Sequence, residues 1–292
     1  MEQFDLYNLK KIYIPTSDSH KGQNGKLLVI GGSKLFHSAS LWSLQIASRI
    51  VDMVFYSSIP TNNEIVQKSK EEFRNGIVVS RDNLISYVEE ADCILIGPGM
   101  LRMQDSSREL NLDNQSIEEI NKIEDEGEQT YYLTRYLLEK YPKKKWVIDA
   151  GALQIMSMSW LTLYNIENVI LTPHHKEFIA LFGEDGNEES IARMAKKYNC
   201  TILFKGDVDI VCNEEKCIKI NGGNAGMTKG GTGDVLAGLV ASLACKNELF
   251  LSASVGSYLN KKAGEELSST VGIYFNASDL CNMIPKVMKA SM

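Results

Sequence analysis

The chain has 292 residues, 44% of them hydrophobic, enough to fill one large α/β core or two small ones. Its 31 basic and 37 acidic residues leave a net charge of −6, so neither nucleic acid nor an anionic membrane is expected as a partner. No apolar run approaches the ~18 residues needed to span a bilayer, and Met1–Pro15 lacks the apolar stretch of a signal peptide. A soluble, cytoplasmic protein is the expectation. The six cysteines (Cys93, Cys200, Cys212, Cys217, Cys245, Cys281) are scattered without a CxxC. They read as reduced thiols in apolar runs rather than as a disulfide framework or zinc site.

In chain order, short apolar runs read as strands at Leu27–Ile30, Met53–Tyr56, Ile77–Val79, Cys93–Ile96, Trp146–Ile148, Val169–Leu171 and Thr201–Phe204. Helical patterns such as Ser40–Ile50, Tyr131–Lys140 and Glu188–Tyr198 separate them. Continuous apolar strands alternating with helices predict a mostly parallel sheet covered on both faces, an α/β/α arrangement. Asp209–Cys212 and Cys217–Ile220 then flank Asn213–Lys216 as a hairpin, followed by helices over Asp234–Ala244 and Glu248–Leu267 and one capped by Asn276. No linker or repeat divides the chain, so residues 1–292 read as a single domain. Leu101–Gln129 is acidic and poor in apolar residues, and reads as a solvated, mobile insertion, with a lid over substrate as the alternative.

The most informative stretch is Asn221–Gly238, NGGNAGMTKGGTGDVLAG, which sets six glycines ahead of an apolar helix and places Asp234 at the junction. Glycines allow the backbone N–H groups of Gly231, Thr232 and Gly233 to approach an anion, and a helix N-terminus adds partial positive charge at the same point. An Asp beside a bound phosphate repels it, but makes sense as a base for a hydroxyl that attacks phosphorus. The alternative is that Asp234 merely caps the helix. Neither GxxxxGK[ST] nor GxGxxG is present, which points away from P-loop and dinucleotide-binding Rossmann folds. Five strand ends also carry conspicuous loops: Gly31-Gly32-Ser33, Gly97-Pro98-Gly99, Asp149-Ala150-Gly151, Thr172-Pro173-His174 and Lys205-Gly206-Asp207. In open α/β sheets these ends share one ligand-binding rim.

These residues, in this order, resemble the ADP/ATP-dependent NAD(P)H-hydrate dehydratase family, whose fold is ribokinase-like. The resemblance runs through Asp18-Ser19-His20-Lys21-Gly22, Leu27–Ser33, Phe36-His37-Ser38-Ala39, Ile96-Gly97-Pro98-Gly99, Asp149–Leu153, Leu171-Thr172-Pro173-His174 with Glu177, Lys205-Gly206, and Gly223–Met227 with Gly230–Asp234. The Gly-x-Gly-Asp loop marks the ribokinase-like class, and the ordered set marks the family. The chain departs from the family pattern in four places: Gly151 replaces the second Asp of Asp-Ala-Asp, His175-Lys176 replaces Pro-Gly, Ser38 replaces a glycine, and Met100 replaces a leucine.

The resemblance implies repair of a hydrated nicotinamide nucleotide. Asp234 would deprotonate the ring hydroxyl, the terminal phosphate of ADP or ATP would transfer to it with Mg²⁺ assisting, and elimination of phosphate would restore NADH or NADPH. It maps Ala39, Gly99, His174 and Asp234 to the hydrate site, and Lys205, Gly206, Asp207, Val208, Asp209 and Gly233 to the nucleotide. It also implies a homo-tetramer and a separate epimerase partner, since nothing ahead of Asp18 has room for an epimerase domain. His174-His175 has no third ligand nearby, so no protein-held metal is expected. Two other classes stay open: a ribokinase-like kinase for a hydroxymethyl-pyrimidine, thiazole or sugar, and an inactive binding protein descended from the enzyme.

Overall fold

In the computed structural model, which describes residues 1–69, 76–103 and 116–292, the apolar runs pair into one ten-stranded sheet. The strands are β1 (Glu2–Gln3), β2 (Lys26–Ile30), β3 (Met53–Ser57), β4 (Ile77–Val78), β5 (Cys93–Ile96), β6 (Lys145–Ile148), β7 (Val169–Leu171), β8 (Thr201–Phe204), β9 (Asp209–Cys212) and β10 (Cys217–Ile220). Their order is β1-β10-β9-β8-β7-β6-β5-β2-β3-β4, and only β9 runs antiparallel to its neighbours. The short β1, pairing with β10, is the one strand the sequence pattern does not announce.

The helices are α1 (His37–Ala47), α2 (Pro60–Ser69), α3 (Leu84–Glu90), α4 (Ile117–Asn121), α5 (Glu126–Lys140), α6 (Ala150–Ile155), α7 (Ser159–Leu163), α8 (His175–Phe182), α9 (Glu188–Tyr198), α10 (Thr232–Ala244), α11 (Leu249–Val271) and α12 (Ala277–Ser291). Alternate residues of each strand face opposite layers, so Leu28 and Ile30 meet one core while Leu27 and Val29 meet the other. The first layer holds α3 to α9, and the second holds α1, α10 and α11 with α12 packed outside. The apolar stripe expected on α10 divides in two: Leu236 and Val240 face the sheet, whereas Val235, Leu239 and Leu243 face the outer helices.

Two expectations need correction. Cys212 and Cys217 are disulfide-bonded, because the hairpin register sets them directly opposite each other with Cα atoms 4.2 Å apart; the other four cysteines are free and buried. The solvated, mobile insertion expected over Leu101–Gln129 does not extend through its second half. Ile117 and Ile120 of α4 are buried in the first core, and two of the exposed acids around them cap helices. Glu119 completes a capping box with Ser116, and Asp125 caps α5. The first half, with Asp105, Glu109 and Asp113, falls outside the described residues. Among the described residues no helix is long and apolar enough to cross a membrane.

Candidate active site

Strand order reverses between β5 and β2, and such a switch point opens a crevice at the carboxyl ends of the strands. The loops after these strands bind each other there: Gly32 N–H donates to the Pro98 carbonyl at 2.7 Å, and Gly97 N–H to the Ile30 carbonyl at 3.1 Å. Gly99 has φ +72°, and a Cβ on it would lie 2.3 Å from the Phe36 carbonyl oxygen and 3.0 Å from the Ala39 Cβ. Gly99 and Ala39, expected together at the hydrate site, are therefore in close contact, and neither tolerates a larger neighbour. From Ala39, α1 runs along the start of α10. Ser43 Oγ donates to the Asp234 carbonyl at 2.8 Å, and a Cβ on Gly231 (φ +95°) would lie 2.4 Å from the Trp42 ring.

Gly231 is the N-cap of α10 and supplies no side chain to bond its first N–H groups. The Thr232 hydroxyl points inward to the carbonyls of Met227 (2.6 Å) and Lys229 (2.9 Å), and the Thr232 N–H itself makes a long bond to the Lys229 carbonyl (3.4 Å), so Thr232 can offer an anion only a backbone donor that is weakly held. Orphan N–H groups at a helix start are an anion site. Asp234 is in the first turn, three positions past the cap, so it is not the N-cap residue, although its carboxylate bonds its own N–H. Burial pushes its carboxyl up to about 7, and the charges of Asp149 and Glu177 add to this, against Lys205 and its own N–H.

The ends of β6, β7 and β8 converge beside it. Ala150, held at φ 43°, turns the chain sharply after Asp149. Asp149 Oδ1 accepts from Thr172 Oγ1 and Lys205 Nζ, both at 2.8 Å. Lys205 Nζ is also 3.9 Å from Glu177 Oε2, and a Cβ on Gly233 would lie 3.9 Å from it. Burial works against the ammonium, yet Asp149 and Glu177 hold its pKa above the ordinary lysine value. Lys205 is thus not the loose surface charge that a strand end might carry. Glu177 accepts from Gln154 (2.9 Å) and from the His174 N–H (2.9 Å), while His174 Nδ1 accepts from the Glu177 N–H (3.2 Å), a capping box on α8. That leaves His174 Nε2 as the free end of a half-exposed ring. At Gly151 a Cβ would lie 2.1 Å from the Met100 carbonyl oxygen, so the position occupied by Asp in the family pattern has no room for a side chain here.

A cavity of about 750 Å³ opens on this cluster, lined by His174, Lys205, Gly206, Asp207, Asp209 and Gly233 among others. It gathers most of the expected nucleotide residues and places His174, expected on the hydrate side, among them. Asp207 and Val208 are exposed at its lip. Asp209 is not open to solvent: its Oδ1 accepts from the Gly206 N–H at 2.9 Å and lies 3.3 Å from Lys261 Nζ, and its Oδ2 accepts from Ser257 Oγ at 2.7 Å.

Sequence reasoning did not single out Asp149, Glu177 and Thr172 as site residues, although Asp149 and Thr172 stood in strand-end loops and Glu177 three residues past one. Lys261, Ser257 and Asn260, in the middle of α11, carried no signal at all. Among the described residues no three His, Cys, Asp or Glu form a ready metal cage.

The fold is ribokinase-like. The structure of a ribokinase-like superfamily protein from Enterococcus faecalis superposes with a TM-score of 0.78 at 23% identity, covering 99% of this chain and 96% of that one. That of the Bacillus subtilis ADP/ATP-dependent NAD(P)H-hydrate dehydratase, co-crystallised with ATP/Mg²⁺, gives 0.77 at 21%, covering 100% and 99%. Within that class the chain belongs to the NAD(P)H-hydrate dehydratase family, whose model matches residues 27–286. The ADP-dependent (S)-NAD(P)H-hydrate dehydratase of Nitrosopumilus maritimus is 32% identical, over 96% of this chain and 95% of that protein. The bifunctional NAD(P)H-hydrate repair enzyme of Methanocaldococcus jannaschii is 36% identical over 97% of this chain, which spans about half its length (52%).

Proposed function

We propose that the protein dehydrates hydrated NADH or NADPH at the expense of ADP or ATP, restoring the dinucleotide. The observation that carries this reading is Asp234, a carboxyl with pKa near 7 set beside the uncapped N–H groups of α10 and the Lys205 ammonium. A base with such a pKa is matched to neutral operation. Its carboxylate takes the proton of the ring hydroxyl as that oxygen attacks the terminal phosphorus. The N–H groups of Gly231, Thr232 and Gly233 then carry the charge spread over the phosphoryl oxygens. The C–O bond next breaks with the ring nitrogen's lone pair as the driving electrons, phosphate departs, and loss of a proton from the neighbouring carbon regenerates the dihydronicotinamide.

A divalent cation fits here. Asp149, Glu177 and Asp234 outnumber the single ammonium of Lys205, and Mg²⁺ is commonly held by one or two carboxylates plus substrate phosphates rather than by a protein cage. Asp149 would hold it together with the donor phosphates, since both oxygens of Glu177 are already bonded and Asp234 has to stay free to take a proton; it would supply charge neutralisation on the donor phosphates. On this reading Ala39 and Gly99 pack against the hydrated ring, Lys205 and the Gly206–Asp209 loop receive the nucleotide, and the whole chain acts as one cytoplasmic unit, assembled as a homo-tetramer. An epimerase working on the same hydrate is the partner it calls for, in keeping with the bifunctional relative. The test is incubation with hydrated NADH, Mg²⁺ and either ADP or ATP, following dihydronicotinamide absorbance. Regeneration with either nucleotide supports the reading. Phosphorylation of a vitamin precursor or sugar without regeneration replaces it with the kinase.

A further inference from the structure

Lys261, on α11, is a second buried cation of the donor cavity, 6% exposed. Its Nζ donates to the carbonyls of Gly206 and Asp207, each at 3.0 Å, reaches that of Gly222 at 3.4 Å, and lies 3.3 Å from Asp209 Oδ1. An ammonium has three N–H donors, so these four acceptors consume it and leave nothing for a ligand. The acceptors come from two loops, Gly206–Asp209 and Gly222–Asn224, at the open end of the β9–β10 hairpin, and both loops line the cavity.

We propose that Lys261 is a positioning residue for the nucleotide donor, tying these two loops together at the spacing the donor needs. The proposal rests on the nucleotide reading of the cavity. Two effects combine in the one side chain. Geometrically, a single point fixes both walls of the pocket. Electrostatically, the negative ends of three carbonyl dipoles and the Asp209 carboxylate are compensated before a polyanionic donor enters. Ser257 and the Gly206 N–H complete the brace by holding Asp209 from the other side. Without Lys261, the donor would meet an unpaired buried carboxylate and unmatched carbonyl oxygens, both of which repel phosphate.

The experiment is calorimetric titration of the full chain with Mg·ADP and Mg·ATP, alongside steady-state kinetics and thermal melts, on the parent, Lys261→Met, Lys261→Arg and the Asp209→Asn/Lys261→Met pair. Lys261→Met is expected to weaken nucleotide binding by about tenfold or more, with kcat at saturating nucleotide and the KM for hydrate within about threefold of the parent. Lys261→Arg should stay close to the parent. The double variant, which removes the stranded charge, should recover part of the loss while remaining weaker than the parent. Unchanged nucleotide affinity in Lys261→Met overturns the proposal, as does an equal rise in the KM for hydrate. If Lys261→Met does not fold, the double variant decides: parental affinity in it overturns the proposal, and weaker nucleotide binding with an unaltered hydrate KM supports it. The titration does not depend on which hydroxyl is phosphorylated, so a parent that binds nucleotide but fails to dehydrate the hydrate breaks the proposed function and not the role of Lys261. A parent that binds neither nucleotide overturns both.

Discussion

Asp209 lines the cavity, Asp234 follows Thr232 and Gly233, which line it, and burial pushes both carboxyls upward. Around Asp209 the protein supplies a lysine, a serine hydroxyl and a backbone N–H. Around Asp234, among the described residues, no side chain donates to the carboxylate, and its acidic neighbours raise its pKa further, to about 7. The first arrangement offsets much of the cost of burial, because both carboxylate oxygens have donors. The second keeps an acid poised to exchange a proton at the expense of stability, the usual signature of a functional site. A buried acid bonded by a lysine, a hydroxyl and an N–H and a buried acid bonded by its own N–H are different objects, although their sequence contexts look alike.

The largest expected effect on this contrast comes from Asp234→Asn. Turnover should fall by about 10²–10⁴-fold, the usual cost of a lost general base, while titration shows nucleotide binding retained. Turnover close to parental would remove Asp234 from the chemistry. The same variant should melt higher than the parent at pH 8. A carboxyl whose folded pKa is raised loses stability as pH climbs from its unfolded value near 4 to its folded value of about 7. The penalty is then complete above pH 7 and absent near pH 4. Its size is bounded at a few kcal/mol by the linkage relation, roughly 1.4 kcal/mol per unit; Asp209→Asn, by contrast, should melt lower, because the buried Lys261 ammonium it strands outweighs the relief of a carboxyl whose pKa is also raised.

Next in size is Lys205→Met, which strands Asp149 and Glu177. Breaking a buried pair from one side costs about 3–5 kcal/mol, and this site is 19% open on the lysine side, so the lower end is expected in a denaturant melt. Nucleotide affinity should fall in parallel. The pH profile is a milder probe: kcat/KM should rise with pH through about 7 as Asp234 ionises, and the residual rate of Asp234→Asn should lack that step. The smallest effect concerns the hairpin that carries Asp209. Replacing Cys212 and Cys217 together by serine removes a bridge across five positions, worth about 2 kcal/mol or less on loop-entropy grounds. Because the bridge closes the end of the hairpin away from Asp209, the KM for nucleotide should not move.

The sequence by itself determined the sheet and its rim. Cys93–Ile96, Val169–Leu171 and Thr201–Phe204 form strands with the very limits their apolar runs predict, because a strand buried on both faces must be continuously apolar. The glycine loop and Asp234 were readable for a similar reason, since a backbone anion site needs glycines and a helix start in one short segment. Helices α4, α6 and α8 were not, being five to eight residues long, too short for a period to show. The capping roles of the exposed Glu119 and Asp125 were hidden too, because a capping carboxylate and a free one are the same letter.

What only the tertiary structure decided is which charged groups meet. Lys205 with Asp149 and Glu177, and Lys261 with Asp209, join residues 28 to 56 positions apart from different elements. Pairing energies of this kind depend on distance and burial, and neither exists until the sheet has brought the carboxyl ends of β6, β7 and β8 side by side and laid α11 across the hairpin. The pairing of Cys212 with Cys217 follows the same rule at short range: both residues and the turn between them were visible, but the register that sets them opposite each other belongs to the folded hairpin.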